Sequence, residues 1–306
     1  MIAFRTLAQL VRLPNLPTAI ADIALAALAT DSLPVQWFAF LLLAIASCCL
    51  YMGGMVWNDF FDAAKDRKER PERPIPSGRV PRKVAGWIGA ILVALGLVFA
   101  CLAGLARVQE DGNGGMLGPL LMAICLTLAI FAYDGWLKKT AMGPVAMGSC
   151  RFFNVLMGIT LSGGWAWPLG PTLALAVGTY IVGVTWFART EAIRSNQRAL
   201  AGAAGVMLLG VLLGLVCAAL VPEGKPSPLF VYLLAGLTFW VGLPLVDAIR
   251  KPVPGNVQKG VKRSLMGLIA LDAILACGVA GTAGLILLVL LLPSIYLNRQ
   301  RWLYAT

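Results

Sequence analysis

Residues Trp57 to Val80 read WNDFFDAAKDRKERPERPIPSGRV, beginning where a long apolar run ends and continuing into a loop crowded with Lys and Arg. Asn58, Asp62 and Asp66 follow one another at intervals of four, so on a continuing helix they stack along one face, with Asp59 off that stripe. Carboxylates so spaced repel by roughly a few tenths of a kcal/mol, and by more near a membrane, where the dielectric falls. Neighbouring Arg and Lys can neutralise them, and so can a divalent cation. Oxygen-only donors suit Mg²⁺, which keeps several waters and pairs one or two carboxylates with substrate phosphates. Arg70 and Arg73 follow at once, as guanidinium forks matched to phosphate oxygens. The plainer alternative is an amphipathic helix with solvated charges. An amide, two carboxylates in register, arginines and an R-P-I-P-S-G turn favour a site.

Outside this stretch the chain is strongly apolar. Of 306 residues, 59% are hydrophobic and 13% charged, about half the charge of a soluble domain. With a mean hydropathy of +0.82, its solvent is expected to be the bilayer, and no polar stretch is long enough for a second domain. A single membrane domain over 1–306 is the expectation. Nine apolar segments fit a ruler of about 20 residues, near 15–32, 35–57, 84–106, 117–135, 144–163, 171–188, 200–221, 228–247 and 266–292. The fold class expected is an all-α, polytopic helical bundle. Arg5 and Arg12 ahead of an Ala-rich run loosely fit a signal peptide, but Pro14 and Pro17 interrupt it, and it is kept as a span.

The net charge of +11 sits in short loops, which argues for the positive-inside pattern and against nucleic acid. Lys65 to Lys83, Lys138 and Lys139, Arg189 to Arg198, and Arg250 to Arg263 fall in alternate loops, which places those loops and the N-terminus in the cytoplasm. Arg299 and Arg301 at the far end are a minor exception. Seven cysteines, all in apolar stretches and without a C-x-x-C, read as buried thiols. The absence of histidine removes His-activated nucleophiles and His-ligated zinc or haem.

The stretch from Asn58 resembles the first aspartate-rich motif of the UbiA superfamily of intramembrane prenyltransferases, N-x-x-x-D-x-x-x-D followed by R-P and an S-G turn. VRLPNLPT around Arg12 is similar to the segment opening the family's first helix, and YDGWLKK from Tyr133 to the one closing its fourth. The resemblance implies a nine-span bundle that ionises an isoprenyl diphosphate and passes the allylic cation to an aromatic or other lipophilic acceptor in a membrane, here a bacterial inner membrane. It also implies that Asn58, Asp62 and Asp66 hold Mg²⁺ on the diphosphate, while Arg12, Arg70, Arg73 and Lys138 neutralise the departing pyrophosphate.

The family's second aspartate-rich motif is altered. TWFARTEAIRSNQRAL keeps Glu191 as its only acid, the remaining candidate metal ligand, and Arg189 and Arg194 stand ready to grip phosphate directly. In CRFFNVLMG, Arg151 and Asn154 share a helical face inside an apolar run, where polar groups mark function more often than not. With the altered motif, this resembles a divergent bacterial branch, the EboC-type proteins. Asp22, Asp247 and Asp272 are read as structural, each paired with an Arg or a backbone donor. Trp57 and Phe61 flank the first motif as candidates to shield a cation. The competing readings are a UbiA-like lipid-binding or scaffold protein without turnover, and a membrane transporter. Clustering of polar residues at one mouth argues against the transporter. An alcohol phosphatidyltransferase is excluded because Asp134-Gly135 does not continue as D-G-x-x-A-R.

Overall fold

The computed structural model describes residues 3–111, 115–190 and 195–300, and every regular element among them is helical. In chain order these are α1 (Phe4–Leu10), α2 (Leu16–Ala29), α3 (Trp37–Glu69), α4 (Arg82–Asp111), α5 (Leu117–Gly135), α6 (Gly143–Ile159), α7 (Leu169–Ala188), α8 (Gln197–Ala219), α9 (Phe230–Arg250), α10 (Pro254–Ala280) and α11 (Leu291–Arg299). Eight are long and apolar enough to cross a bilayer, or nine if α1 and the Leu13–Ala29 segment, bent by 56°, count as one.

Hydrogen bonds between loops define two faces. On one, Arg189 Nη2 donates to the Thr140 carbonyl (2.6 Å), Ser195 N–H to that of Pro252 (3.1 Å) and Arg79 Nη1 to Gln9 Oε1 (2.7 Å). These are the basic loops, hereafter the basic face. On the other, Lys225 pairs with Asp31 (2.6 Å) and Arg107 Nε donates to the Leu161 carbonyl (3.1 Å). Between the faces the bundle is largely apolar, with Asp22, Asn154 and Asp272 among the buried polar side chains. On α4, Trp87, Ile91, Leu95, Val98, Leu102 and Leu105 form an exposed stripe at helical spacing, as lipid contact requires.

The shortest crossing element is the most enclosed. α2 is 14 residues, about 21 Å at 1.5 Å per residue, and 11 of them are buried against α3, α6 and α10. Its alanines let those helices close in: a Cβ on Gly158 of α6 would meet Ala26 Cβ. Without a solvent-driven hydrophobic effect between helices, such close approach is what holds a membrane bundle together. Another such approach is at Gly210 of α8, where a Cβ would sit 2.5 Å from Tyr180 N and 2.8 Å from Ala176 O of α7. Backbone cannot yield as a side chain can. Gly210→Val is expected to destabilise by about 1–3 kcal/mol, read as an earlier thermal transition in detergent, with Gly205→Val as the open-space control.

α3 continues past the apolar span near 57, as the stacking of Asn58, Asp62 and Asp66 requires, and runs on to Glu69, 33 residues in all, carrying the aspartates out of the apolar zone. One expectation changes. The apolar run 266–292 is not one span. α10 ends at Ala280, Gly281 takes a positive φ of 76°, and 281–290 folds back as a 3₁₀ helix so closely that a Cβ on Gly284 would strike the Ala276–Cys277 backbone. A 3₁₀ rise of about 2 Å over ten residues plus nine α-helical residues gives about 33 Å, enough to recross a hydrocarbon core of about 30 Å. Ser294 Oγ then donates to the Pro14 carbonyl (3.1 Å), beside Arg12. Arg299 thereby lies on the basic face with the other cations, and the charge exception disappears; Arg301 lies outside the described residues.

Candidate active site

A cavity of about 560 Å³ opens among α2, α3, α5, α6 and α7 and the loop after α3. Its lining runs along α3 from Ser47 to Glu69, on the order of 30 Å of helix. The deeper walls include Gly54, Met55, Leu126, Ile130 and Met147, while the mouth on the basic face is charged. Eight basic and four acidic side chains line it, a surplus of positive charge that favours an anion.

The loop 70–81 reaches this mouth because it carries its own apolar anchors. Ile75 and Val80 are buried against Leu10, Val56, Ala63 and Ala85, and Gly78, at φ 77°, makes the turn that brings Val80 back. Arg73 is thereby drawn inward until only 4% of it is exposed, and its Nη1 meets Asp66 Oδ2 at 2.8 Å and Asp59 Oδ1 at 3.3 Å. Arg12, in a left-handed conformation between α1 and α2, extends its Nη2 to Asp59 Oδ1 (3.3 Å) and Asn58 Oδ1 (3.4 Å). From α5, Asp134 accepts from Asn58 Nδ2 at 2.6 Å. Lys138, on the 3₁₀ turn after α5, points its ammonium at Asp62 Oδ1 (2.9 Å) and Asp134 Oδ1 (3.8 Å).

Asn58, Asp62, Asp66, Arg12, Arg70, Arg73 and Lys138 therefore line one chamber, and Arg189 joins them from the end of α7. Glu191 and Arg194 lie outside the described residues. Arg151 and Asn154 also line the cavity, at its inner end, but both turn towards Asp22. Asp22 Oδ2 accepts from Arg151 Nη1 at 3.0 Å and from Asn154 Nδ2 at 2.8 Å, while Ser47 Oγ donates to Asn154 Oδ1 (2.7 Å). Their polar atoms build the floor and are largely committed there. Trp57 and Phe61 do not line the chamber: Trp57 packs against Phe60, Phe61 and Phe131, and Tyr51 and Tyr133 are the aromatic lining instead.

Two participants escape a reading by spacing. Asp134 completes the carboxylate pair around Lys138; its signal was the Asp134–Lys138 interval of four in YDGWLKK. Asp59, 3% exposed, orients both Arg12 and Arg73 from a face of α3 that only the folded N-terminal segment and loop reveal. Removing one partner of a buried ion pair typically costs about 3–5 kcal/mol. Asp59→Ala is therefore expected to lower the thermal transition in detergent markedly, whereas Asp62→Asn, at the more accessible end, leaves it within a few degrees.

The donor set fits a hard divalent ion. Asp62 and Asp134 converge on one cationic group, the Lys138 ammonium, and Asn58 adds an amide oxygen. Among the described residues no three His, Cys, Asp or Glu side chains are grouped to enclose a metal. Asp62, Asp134 and Asn58 would hold such an ion, and so few protein ligands suit Mg²⁺, which commonly keeps waters and binds phosphate beside one or two carboxylates. It would supply charge neutralisation for a leaving diphosphate.

Fold and chamber together define a polytopic helical membrane protein with a pocket on one face lined by carboxylates and a surplus of cationic side chains. The chain belongs to the UbiA prenyltransferase family, whose model matches residues 15–254. It is 36% identical over 115 residues to a digeranylgeranylglyceryl phosphate synthase of Ignicoccus hospitalis, covering 37% of this chain and 34% of that protein. It is 33% identical over 134 residues to the synthase of that name from Methanothermobacter thermautotrophicus, covering 44% and 42%. The matched stretches thus span less than half of these relatives. A solved structure concerned with digeranylgeranylglyceryl phosphate synthase in membranes superposes with a TM-score of 0.67 at 22% identity, over 92% of this chain and 100% of the other, and shares the fold.

Proposed function

We propose that the protein is a Mg²⁺-dependent intramembrane prenyltransferase that moves an isoprenyl group from a prenyl diphosphate to a lipophilic acceptor. The observation that carries this reading is the meeting of Asp62, Asp134, Lys138, Arg12 and Arg73 at the charged mouth of an otherwise apolar chamber. The diphosphate sits at the mouth with Lys138, Arg12 and Arg70 around its oxygens, and the isoprenyl chain lies against Met55, Leu126, Ile130 and Met147. The allylic C–O bond breaks with its electron pair leaving on pyrophosphate, where preplaced cations stabilise the charge as it develops. An electron pair of the acceptor forms the new bond to the allylic carbon, and the acceptor then loses its proton. Walls that exclude water protect the cation from hydrolysis. Asp66 and Glu191 stand with Asn58 and Asp62 as candidate metal ligands.

The whole chain serves as one membrane unit, with its N-terminus and basic face in the cytoplasm, where soluble diphosphates are available. Similarity to synthases named for digeranylgeranylglyceryl phosphate makes geranylgeranyl diphosphate and a glyceryl phosphate lipid the first substrates to try. The test is product formation from labelled geranylgeranyl diphosphate in nanodiscs, with this lipid or an aromatic acid as acceptor. Transfer that requires Mg²⁺ and stops with chelator is expected. Diphosphate binding without transfer to any acceptor would instead favour a lipid-binding protein that keeps the fold.

A further inference from the structure

Beneath the cavity floor lie two carboxyl groups that the chemistry above does not use. Asp22 of α2 and Asp272 of α10 are both 0% exposed on helices packed against each other, and their carboxyls lie close enough to act on one another electrostatically. Each sits about 10–12 Å, at 1.5 Å per residue, from the end of its helix opposite the basic face, well inside the bilayer.

The donors around them do not suffice. Asp22 Oδ2 takes Arg151 Nη1 (3.0 Å) and Asn154 Nδ2 (2.8 Å), both from α6. Asp22 Oδ1 and both oxygens of Asp272 accept nothing from any donor among the described residues. Arg151 is the cation that faces the pair; Tyr51 of α3 lies by Arg151, and the Tyr180 hydroxyl of α7 is spent on the Ser264 carbonyl (2.9 Å). Two ionised carboxylates against one guanidinium would leave a net negative charge buried in a medium that solvates it poorly. Two carboxyls that interact inside a membrane do not both ionise without a further counter-ion.

We propose that Asp22 and Asp272 form a proton-binding dyad, one proton shared between two carboxyls, that fastens α10 to α2 under the cavity floor. The proton supplies the missing donor and brings the cluster with Arg151 to zero net charge. Because Asp22 also holds Arg151 and Asn154, the dyad fixes the shape of the floor on which the cavity rests. A sodium ion would need a fuller shell of oxygens than the three without donors provide. The inference is independent of prenyl transfer, and its readouts do not use that activity.

Infrared spectra of the intact protein in nanodiscs at neutral pH test it. The expected result is a protonated carboxylic acid C=O band that shifts slowly in D₂O, unlike that of any carboxyl open to the cavity, and that is lost in Asp272→Asn and in Asp22→Asn. Thermal stability supplies a second readout. A proton bound in the folded state and released on unfolding stabilises fully at low pH and is lost as pH rises. Wild type should therefore lose its alkaline stability earlier than Asp272→Asn, whose amide donates to Asp22 without titrating. No slowly exchanging band in folded wild type, a band unchanged in both variants, or a band abolished by sodium chloride would overturn the proposal. The wild-type spectrum with its exchange and sodium arms decides the matter even if a variant fails to fold.

Discussion

Asp62→Asn lowers kcat/KM for prenyl transfer by about 100- to 1,000-fold, the range found when one group that stabilises developing charge is removed. Asp62 is the carboxylate of the motif most open to the chamber, 19% exposed at its side chain, and its partner is the Lys138 ammonium at 2.9 Å. Asp66, by contrast, is held at 2.8 Å by a buried arginine. Asparagine keeps the size and loses the charge, so the helix and its packing survive and the loss is chemical. The check is a Mg²⁺ titration of initial rates for both proteins, alongside their thermal transitions. A variant that unfolds at the wild-type temperature and turns over at the wild-type rate would remove Asp62 from the site.

Lys138→Met is expected to reduce kcat by about 100-fold while shifting half-saturation to lower Mg²⁺. The ammonium bridges Asp62 and Asp134, at 2.9 and 3.8 Å, where it neutralises both. Without it the two carboxylates attract a divalent ion more strongly, yet the departing pyrophosphate loses a cation. Opposite movements of metal affinity and turnover separate this role from a structural one, which would weaken both together. Rates measured across a Mg²⁺ series decide, and parallel losses would contradict the assignment.

What was legible in the sequence follows the range of the interactions. Hydropathy and the interval of four are local, so the spans and the Asn58–Asp62–Asp66 face could be read directly. The reversal at Gly281 could not, because no charged residue interrupts the run between Asp272 and its end at 292, and a glycine between Gly278 and Gly284 resembles ordinary close packing. Its trace was the misplaced charge of Arg299. Arg151 and Asn154 were correctly seen to share a face, but Asp22, which occupies them, lies more than a hundred residues away in the chain. Asp22 has the arginine partner expected for a buried acid, whereas Asp272 has no donor among the described residues. Asp59 looked idle because its two arginines arrive from separate segments. Trp57 faced the motif in sequence yet packs away from the chamber, since proximity along a helix does not set direction.

The most direct test of the diphosphate site is equilibrium binding of geranylgeranyl diphosphate to the purified protein, with and without Mg²⁺, using Asp62→Asn as control. The expected result is binding that Mg²⁺ strengthens, that inorganic pyrophosphate displaces, and that the substitution weakens by at least about tenfold, or about 1.4 kcal/mol. Folded wild-type protein that binds no prenyl diphosphate of any chain length, or binds it regardless of Mg²⁺ and of Asp62, would contradict the assignment.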